Sequence, residues 1–166
     1  DRRLYGIAAL ALDAMGDAWF GGTGGLATRH VDGTWDYPPW RQAPRRSVLA
    51  LGSGMDGSVW IGTGTPVLRE ELAESHRLFD DGQVIVHRPD GSWREFKGTS
   101  GDVTGPSGHS LMGIAVAPDG AIWAMDDNVA FDEHDGWVPW IVRLVPDTER
   151  WEPPDLGDFS AVVSDQ

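Results

Sequence analysis

A stretch of fourteen residues, Ser47-Val-Leu-Ala-Leu-Gly-Ser-Gly-Met-Asp-Gly-Ser-Val-Trp60, occurs three times in the chain without a gap. Gly6 to Trp19 and Ser110 to Trp123 align with it, so that Ile7, Val48 and Leu111 share a column, as do Leu10, Leu51 and Ile114. An ungapped repeat of this length requires one supersecondary unit to be built again and again, each copy burying its apolar face against the next. Each copy alternates apolar and small residues, turns at Asp56-Gly57 or Asp119-Gly120 (Met15-Gly16 in the first), and ends in tryptophan. Asp-Gly between alternating runs predicts a hairpin closed by a type I′ turn. Ala9, Ala50 and Gly113 form a column of small residues, which suits a crowded innermost strand.

A second hairpin follows each copy: Arg29-His-Val-Asp-Gly-Thr-Trp35, Ile85-Val-His-Arg-Pro-Asp-Gly-Ser-Trp93 and Val142-Arg-Leu-Val-Pro-Asp-Thr-Glu-Arg-Trp151. Four strands per unit and three units predict an all-β chain of β-propeller type, with three four-stranded blades at about 5–37, 47–97 and 110–153. A β-sandwich also has short, regular strands, but it does not repeat fourteen residues up to the same aromatic. The six tryptophans that close the hairpins (Trp19, Trp35, Trp60, Trp93, Trp123 and Trp151) are expected in the core. Propellers close from about four blades upward. Ser160-Ala-Val-Val-Ser-Asp-Gln166 matches the opening of the repeat, so 159–166 reads as the first strand of a next blade. The chain is therefore expected to be a partial propeller, completed by further blades or by homo-oligomeric assembly.

Asp56-Gly-Ser-Val-Trp-Ile-Gly-Thr63, and Trp19-Phe-Gly-Gly-Thr-Gly-Gly-Leu26 followed by Arg29, resemble the two-component regulator propeller repeat. More distantly, they are similar to the virginiamycin B lyase-like propellers. The third copy departs, with Trp123-Ala-Met-Asp126 in place of Trp-x-Gly-Thr. The resemblance implies the sensing part of a bacterial signalling protein, periplasmic or extracellular. The lyase-like relation implies a catalytic histidine with a metal, for which His109, just ahead of an innermost strand, is the position that fits.

With 26 acidic against 13 basic residues the net charge is −13, which excludes a phosphate-binding footprint and hence nucleic acid as partner. Its simplest consequence is solubility. The chain has no cysteine, so neither disulfides nor a thiol nucleophile enter. No run approaches 18 apolar residues, and membrane insertion is not expected. Gly21 to Leu26 is glycine-rich, but no Gly-Lys-Ser/Thr follows, so it is a turn and not a phosphate loop.

Two units carry insertions between their second and third strands. Trp19 and Trp35 are 16 residues apart, whereas Trp60 and Trp93 are 33 apart and Trp123 and Trp151 are 28 apart. The first insertion, Pro66 to Phe79, has helical composition and predicts a short helix in blade 2. The second, Asp126 to Trp140, predicts an acidic loop. Both belong to the face that also carries the links 38–46 and 97–110, and grafted sites belong on such loops. On that face Trp40, Arg41, His76, His109, Trp137 and Trp140 are the candidate ligand-binding residues, for a small molecule, carbohydrate or protein. Asp126, Asp127, Asp132, Glu133 and Asp135 are candidate oxygen ligands for Ca2+, although their spacing differs from the twelve-residue calcium loop. His134 lies in the same loop. No other cofactor is indicated. His30 and His87, in third strands at matching distances from Trp35 and Trp93, read as blade-surface or packing residues, and little is expected on the face of short Asp-Gly turns.

No Gly-x-Ser-x-Gly or His-x-x-x-His pattern occurs, so no catalytic residue is assigned. The expected function is non-catalytic recognition or sensing through the inserted loops. The alternatives are a metal-assisted propeller enzyme, lyase-like or lactonase-like, and a structural self-assembly module.

Overall fold

The computed structural model describes residues 6–38, 47–64, 82–97, 110–132, 136–145 and 150–152. The polypeptide forms three four-stranded antiparallel sheets, each made of consecutive strands in chain order. The first holds β1 (Ile7–Leu12), β2 (Ala18–Gly22), β3 (Gly25–Arg29) and β4 (Trp35–Asp36). The second holds β5 (Ser47–Ser53), β6 (Val59–Gly64), β7 (Gln83–His87) and β8 (Trp93–Lys97). The third holds β9 (Leu111–Val116), β10 (Ile122–Asp132), β11 (Gly136–Val145) and β12 (Arg150–Glu152). No helix occurs among the described residues, and the expected helix at 66–79 lies outside them. The arrangement is consistent with a β-propeller, and no closed ring is formed among the described residues.

The hairpins close differently from the two-residue turn expected of Asp-Gly. Gly54 N–H donates to Ser58 O (2.8 Å) and Gly57 N–H to Gly54 O (3.0 Å), which leaves a three-residue loop, Met55-Asp56-Gly57. Only the glycine needs the left-handed region (φ +83°). The aspartate acts through its side chain instead. The Asp56 carboxylate accepts the N–H of Ser58, as Asp32, Asp90 and Asp119 do for Thr34, Ser92 and Ala121. A short acidic side chain thus locks the turn from inside. In the first hairpin Met15 stands in the aspartate column, and Asp13 compensates by accepting from the N–H groups of both Met15 and Asp17.

The sheets stack through one repeated contact. Strand β5 lies across β1 and β2, and β9 lies across β5 and β6. Val48 rests on Gly21, so closely that a Cβ there would overlap it; Leu111, from the same column as Val48, rests on Gly62, where a Cβ would come within 3.0 Å of the Leu111 Cβ. Around these contacts two cores form. Trp19, Leu26, Val48, Val59, Ile61 and Ile85 fill the first junction, and Val84, Leu111, Ile122, Val142, Leu144 and Trp151 fill the second. Of the six columnar tryptophans Trp19 and Trp151 are buried, Trp60 and Trp123 are half-buried, and Trp35 and Trp93 are 51% and 41% exposed. The exposed pair stand on the outermost strands β4 and β8; Trp151, on the outermost strand β12, is covered by Phe96 of the second sheet.

A methyl group at Gly21 therefore collides with Val48. Gly21→Ala is expected to destabilise the protein by about 1–3 kcal/mol, the usual range for overpacking. Val48→Ala in the same chain should return part of that loss, and a urea-unfolding double-mutant cycle that gave additive effects would show that the two positions do not meet.

Candidate functional site

Where the first and second sheets meet, the glycine contact holds them together, and towards the hairpin turns they part to leave a groove of about 370 Å³. The first sheet contributes the Asp13–Asp17 turn, Trp19, Thr28, His30 and Asp36; the second contributes Asp56, His87, Pro89 and Trp93. A smaller groove of about 280 Å³ recurs between the second and third sheets, lined by Asp56, Trp60, Pro118 and Asp119 among others. The repeat itself thus makes a groove at each junction.

Only the first groove is furnished with titratable side chains beyond turn aspartates, and they stand where this copy departs from its sisters. Asp13 occupies the column of Gly54 and Ala117, and Asp17 that of Ser58 and Ala121. His87 occupies the register position of Arg29 and Leu144, facing Val59 across the ladder as those residues face Ala18 and Ile122. Asp13 takes over the turn bonds that Asp56 and Asp119 make in the other copies, whereas the Asp17 carboxylate takes no part in closing the β1–β2 hairpin and accepts from Val31 instead.

Asp13 organises the floor. Its Oδ2 accepts from Trp19 Nε1 (2.9 Å) while its Oδ1 holds the turn, so the nearly buried indole is fixed edge-on to the carboxylate. His87 lies between two indoles, its ring centroid 5.1 Å from Trp19 and 4.5 Å from Trp93. Burial pushes the His87 pKa below its ordinary value, against the pull of Asp13 and Asp90, so the ring is neutral at pH 7 and acts as a third aromatic surface. His30 opens the turn after β3, and its Nδ1 meets Asp17 Oδ2 at 2.6 Å. Asp17 in turn accepts the N–H of Val31 (2.9 Å). This hydrogen bond raises the His30 pKa, with the charges of Asp17, Asp32 and Asp36 adding to it, and lowers that of Asp17. Burial works to raise the pKa of Asp56, but the hydroxyl and N–H of Ser58 and the charge of Arg88 outweigh it and hold the carboxyl low.

One side chain in the groove lacks a partner. Thr28, 2% exposed, lines the groove, and its Oγ1 is buried with no hydrogen bond. Buried polar atoms are nearly always paired, because leaving one unpaired costs about 1–3 kcal/mol.

None of the candidate site residues singled out from the sequence is among the described lining of the groove. Trp40, Arg41, His76, His109, Glu133, His134 and Asp135 lie outside the described residues. Trp137 and Trp140 lie in β11, and Asp126, Asp127 and Asp132 in β10. The expected acidic loop is for the most part a strand hairpin that lengthens the third sheet, with Phe131 paired to Trp137 and Asp132 to Gly136. The described residues contain no group of three or more His, Asp or Glu placed to hold a metal ion. His30 and His87, read from the sequence as equivalent blade-surface or packing residues, are not equivalent. Trp93 pairs with His87 but Trp35 pairs with Arg29, so His30 sits one residue further on, in the turn. The turn face, where little is expected from the sequence, carries the groove. Column-by-column comparison at Asp13 and Asp17 was the signal in the sequence that pointed there.

These features define an all-β protein of repeated antiparallel sheets with an acidic, aromatic-walled groove between its first two units. No protein-family model matches the chain, and no curated protein matches it.

The two histidines should titrate apart. By NMR, His30 is expected above its ordinary 6.5 and His87 below it. Asp17→Asn should bring His30 back towards 6.5 and leave His87 unmoved. The His30 share of stability is present below pH 6.5 and is lost as pH rises through its raised value; that of Asp17 is present above pH 3.8 and is lost as pH falls through its lowered value. The pair is at full strength between those two limits, and a stability profile of the Asp17→Asn variant parallel to wild type across that window would refute the coupling.

Proposed function

We propose that this chain is a section of a β-propeller that serves as a non-catalytic recognition scaffold, and that it binds its ligand in the groove between the first and second sheets. The observation that carries the reading is the unpaired Thr28 hydroxyl in a groove whose walls depart from the repeat. A rigid stack of sheets with an apolar, aromatic groove and a few converging polar groups is the general form of a small-ligand site. The groove volume also falls in the range of such sites, about 300–1,000 Å³. The resemblance to the two-component regulator propeller repeat supports the same reading. In that setting the chain is the sensing part of an exported bacterial signalling protein, and the propeller is completed by further blades.

Thr28→Val gives the test its sign. Valine matches threonine in shape and removes the unpaired oxygen, so the free protein should become more stable by about 1 kcal/mol. The same variant should bind ligand more weakly. In a small-molecule NMR screen, saturable shifts are expected at the indoles of Trp19 and Trp93 and the imidazole of His87, and they should weaken in the variant. A loss of stability in Thr28→Val, or binding shifts confined to the 136–145 strand, would remove the groove from consideration.

A further inference from the structure

The first sheet shows solvent a face that its two sisters bury. In the second sheet Val48, Leu51, Ile61 and Ile85 lie on the side that packs against the sheet before it, and in the third sheet Leu111, Ile114, Ile122 and Val142 do so. The ladder registers place Ile7, Leu10, Leu12, Phe20 and Trp35 on the corresponding side of the first sheet. There Ile7, Leu10 and Leu12 are 60–61% exposed. The Phe20 ring lies 5.3 Å from that of Trp35, so the apolar ground runs across the sheet from β1 to β4. Arg29 is the one charged side chain on this side among the described strand residues. Contiguous exposed apolar ground of this kind marks an interaction surface.

What covers such a face is shown twice in the same molecule. Val48 rests on Gly21 and Leu111 on Gly62, and each glycine follows a second-strand tryptophan by two residues. Ile7 holds the column of Val48 and Leu111. The third sheet has no such seat to offer. Met125 stands in its glycine column, with the side chain against Gly113. Arg143 stands where the second sheet has Val86, its guanidinium 3.2 Å from Asp119 and set over Trp123. A second copy stacked head to tail would press Ile7 onto a methionine and bury that guanidinium, and both cost stability. Two copies placed face to face would meet branched side chain against branched side chain, with no glycine to receive either.

We propose that the Ile7, Leu10 and Leu12 face of the first sheet docks a further four-stranded sheet of the same repeat, one with glycine two residues after its second-strand tryptophan, and that a second copy of this chain does not fill the place. This rests on the chain being a section of a propeller, and it is independent of what the groove between the first and second sheets binds.

The third sheet can be given the missing half of the contact. Met125→Gly with Arg143→Val reproduces there the Gly62 and Val86 positions of the second sheet. The full chain is followed by sedimentation velocity over a wide concentration range, in physiological salt that screens the mutual repulsion of chains of net charge −13. Wild type should stay monomeric. The double variant should associate as concentration rises, with the methyl signals of Ile7, Leu10 and Leu12 shifting as it does, and adding Ile7→Asp should return it to monomer. In the wild-type background Ile7→Asp should leave the urea midpoint unchanged, because the side chain covers nothing. Circular dichroism reports the fold of each variant. Met125→Gly alone, at a column where both sister sheets carry glycine, takes the place of the pair if the pair does not fold. A folded variant that stays monomeric overturns the glycine-seat assignment and leaves the propeller-section reading standing. Association of wild type that Ile7→Asp abolishes means that copies complete one another, and it overturns both. A urea midpoint lowered by Ile7→Asp alone means that the face is already covered within the chain, and overturns the docking assignment. Ligand shifts at Trp19 and Trp93 should be the same in Ile7→Asp as in wild type, so the groove stands or falls separately.

Discussion

The structure depends on a single contact made twice: a branched or long apolar side chain at the head of one sheet's first strand, set on a glycine in the second strand of the sheet before it. Val48 on Gly21 and Leu111 on Gly62 bring the sheets so close that no side chain fits between backbone and neighbour. Close packing of this kind is what makes interiors dense and intolerant of added volume. It also explains the unevenness of the repeat. Ile7 shares the column of Val48 and Leu111, which are 1% and 0% exposed, yet Ile7 is 60% exposed because no described sheet lies in front of β1. At the other end Met125 holds the glycine column of the third sheet, so that sheet presents a different surface from the two before it.

The groove follows from the same contact. Sheets pinned at their glycine ends and twisted like all β-structure diverge with distance from the pin, and the gap opens at the turns. Side chains at the turns must then either fill the gap or line it. In the second junction the turn columns hold Gly54, Ser58, Ala117 and Ala121, and the gap is the smaller of the two. In the first junction Asp13 and Asp17 take those columns, each tied into the local hydrogen-bond network by a turn N–H and by a ring, the indole of Trp19 or the imidazole of His30. The charged lining is therefore positioned by the same hydrogen bonds that close the hairpin.

The sheets were legible in the sequence because period-two alternation and punctuating Asp-Gly pairs are local signals, repeated often enough to exclude chance. The closing geometry of the turns was not. Two-residue and three-residue loops share the Asp-Gly signature, and what separates them is where the second strand resumes pairing. The tryptophan columns misled for a related reason: a column records position along a strand, whereas burial depends on whether another strand lies outside it. Trp151 is buried by packing with Phe96 of the second sheet, while Trp35 and Trp93, in the same column, stay largely exposed, Trp93 at the rim of the groove. The one-residue offset between His30 and His87 reversed their roles, since a slip of one position in a strand exchanges its faces. Length drew attention to the insertions, but the second one is largely absorbed as extra ladder in β10 and β11. The groove residues involve no added length and are visible only as substitutions within the columns.

The repeat therefore provides its own control for what folding alone demands. Three hairpins share a frame: the first moves its turn-closing carboxylate to Asp13, and Asp17 is the addition, where the other two carry Ser58 and Ala121. The first junction also tolerates two features that oppose stability, a desolvated imidazole at His87 and an unpaired hydroxyl at Thr28. Features that oppose stability in a fold otherwise locally consistent are expected at functional or strained sites. The net charge of −13 is usually a statement about solubility. At this junction the charge is not spread over a solvated face. Four of the carboxylates line the same groove as two indoles, with a neutral histidine between those indoles.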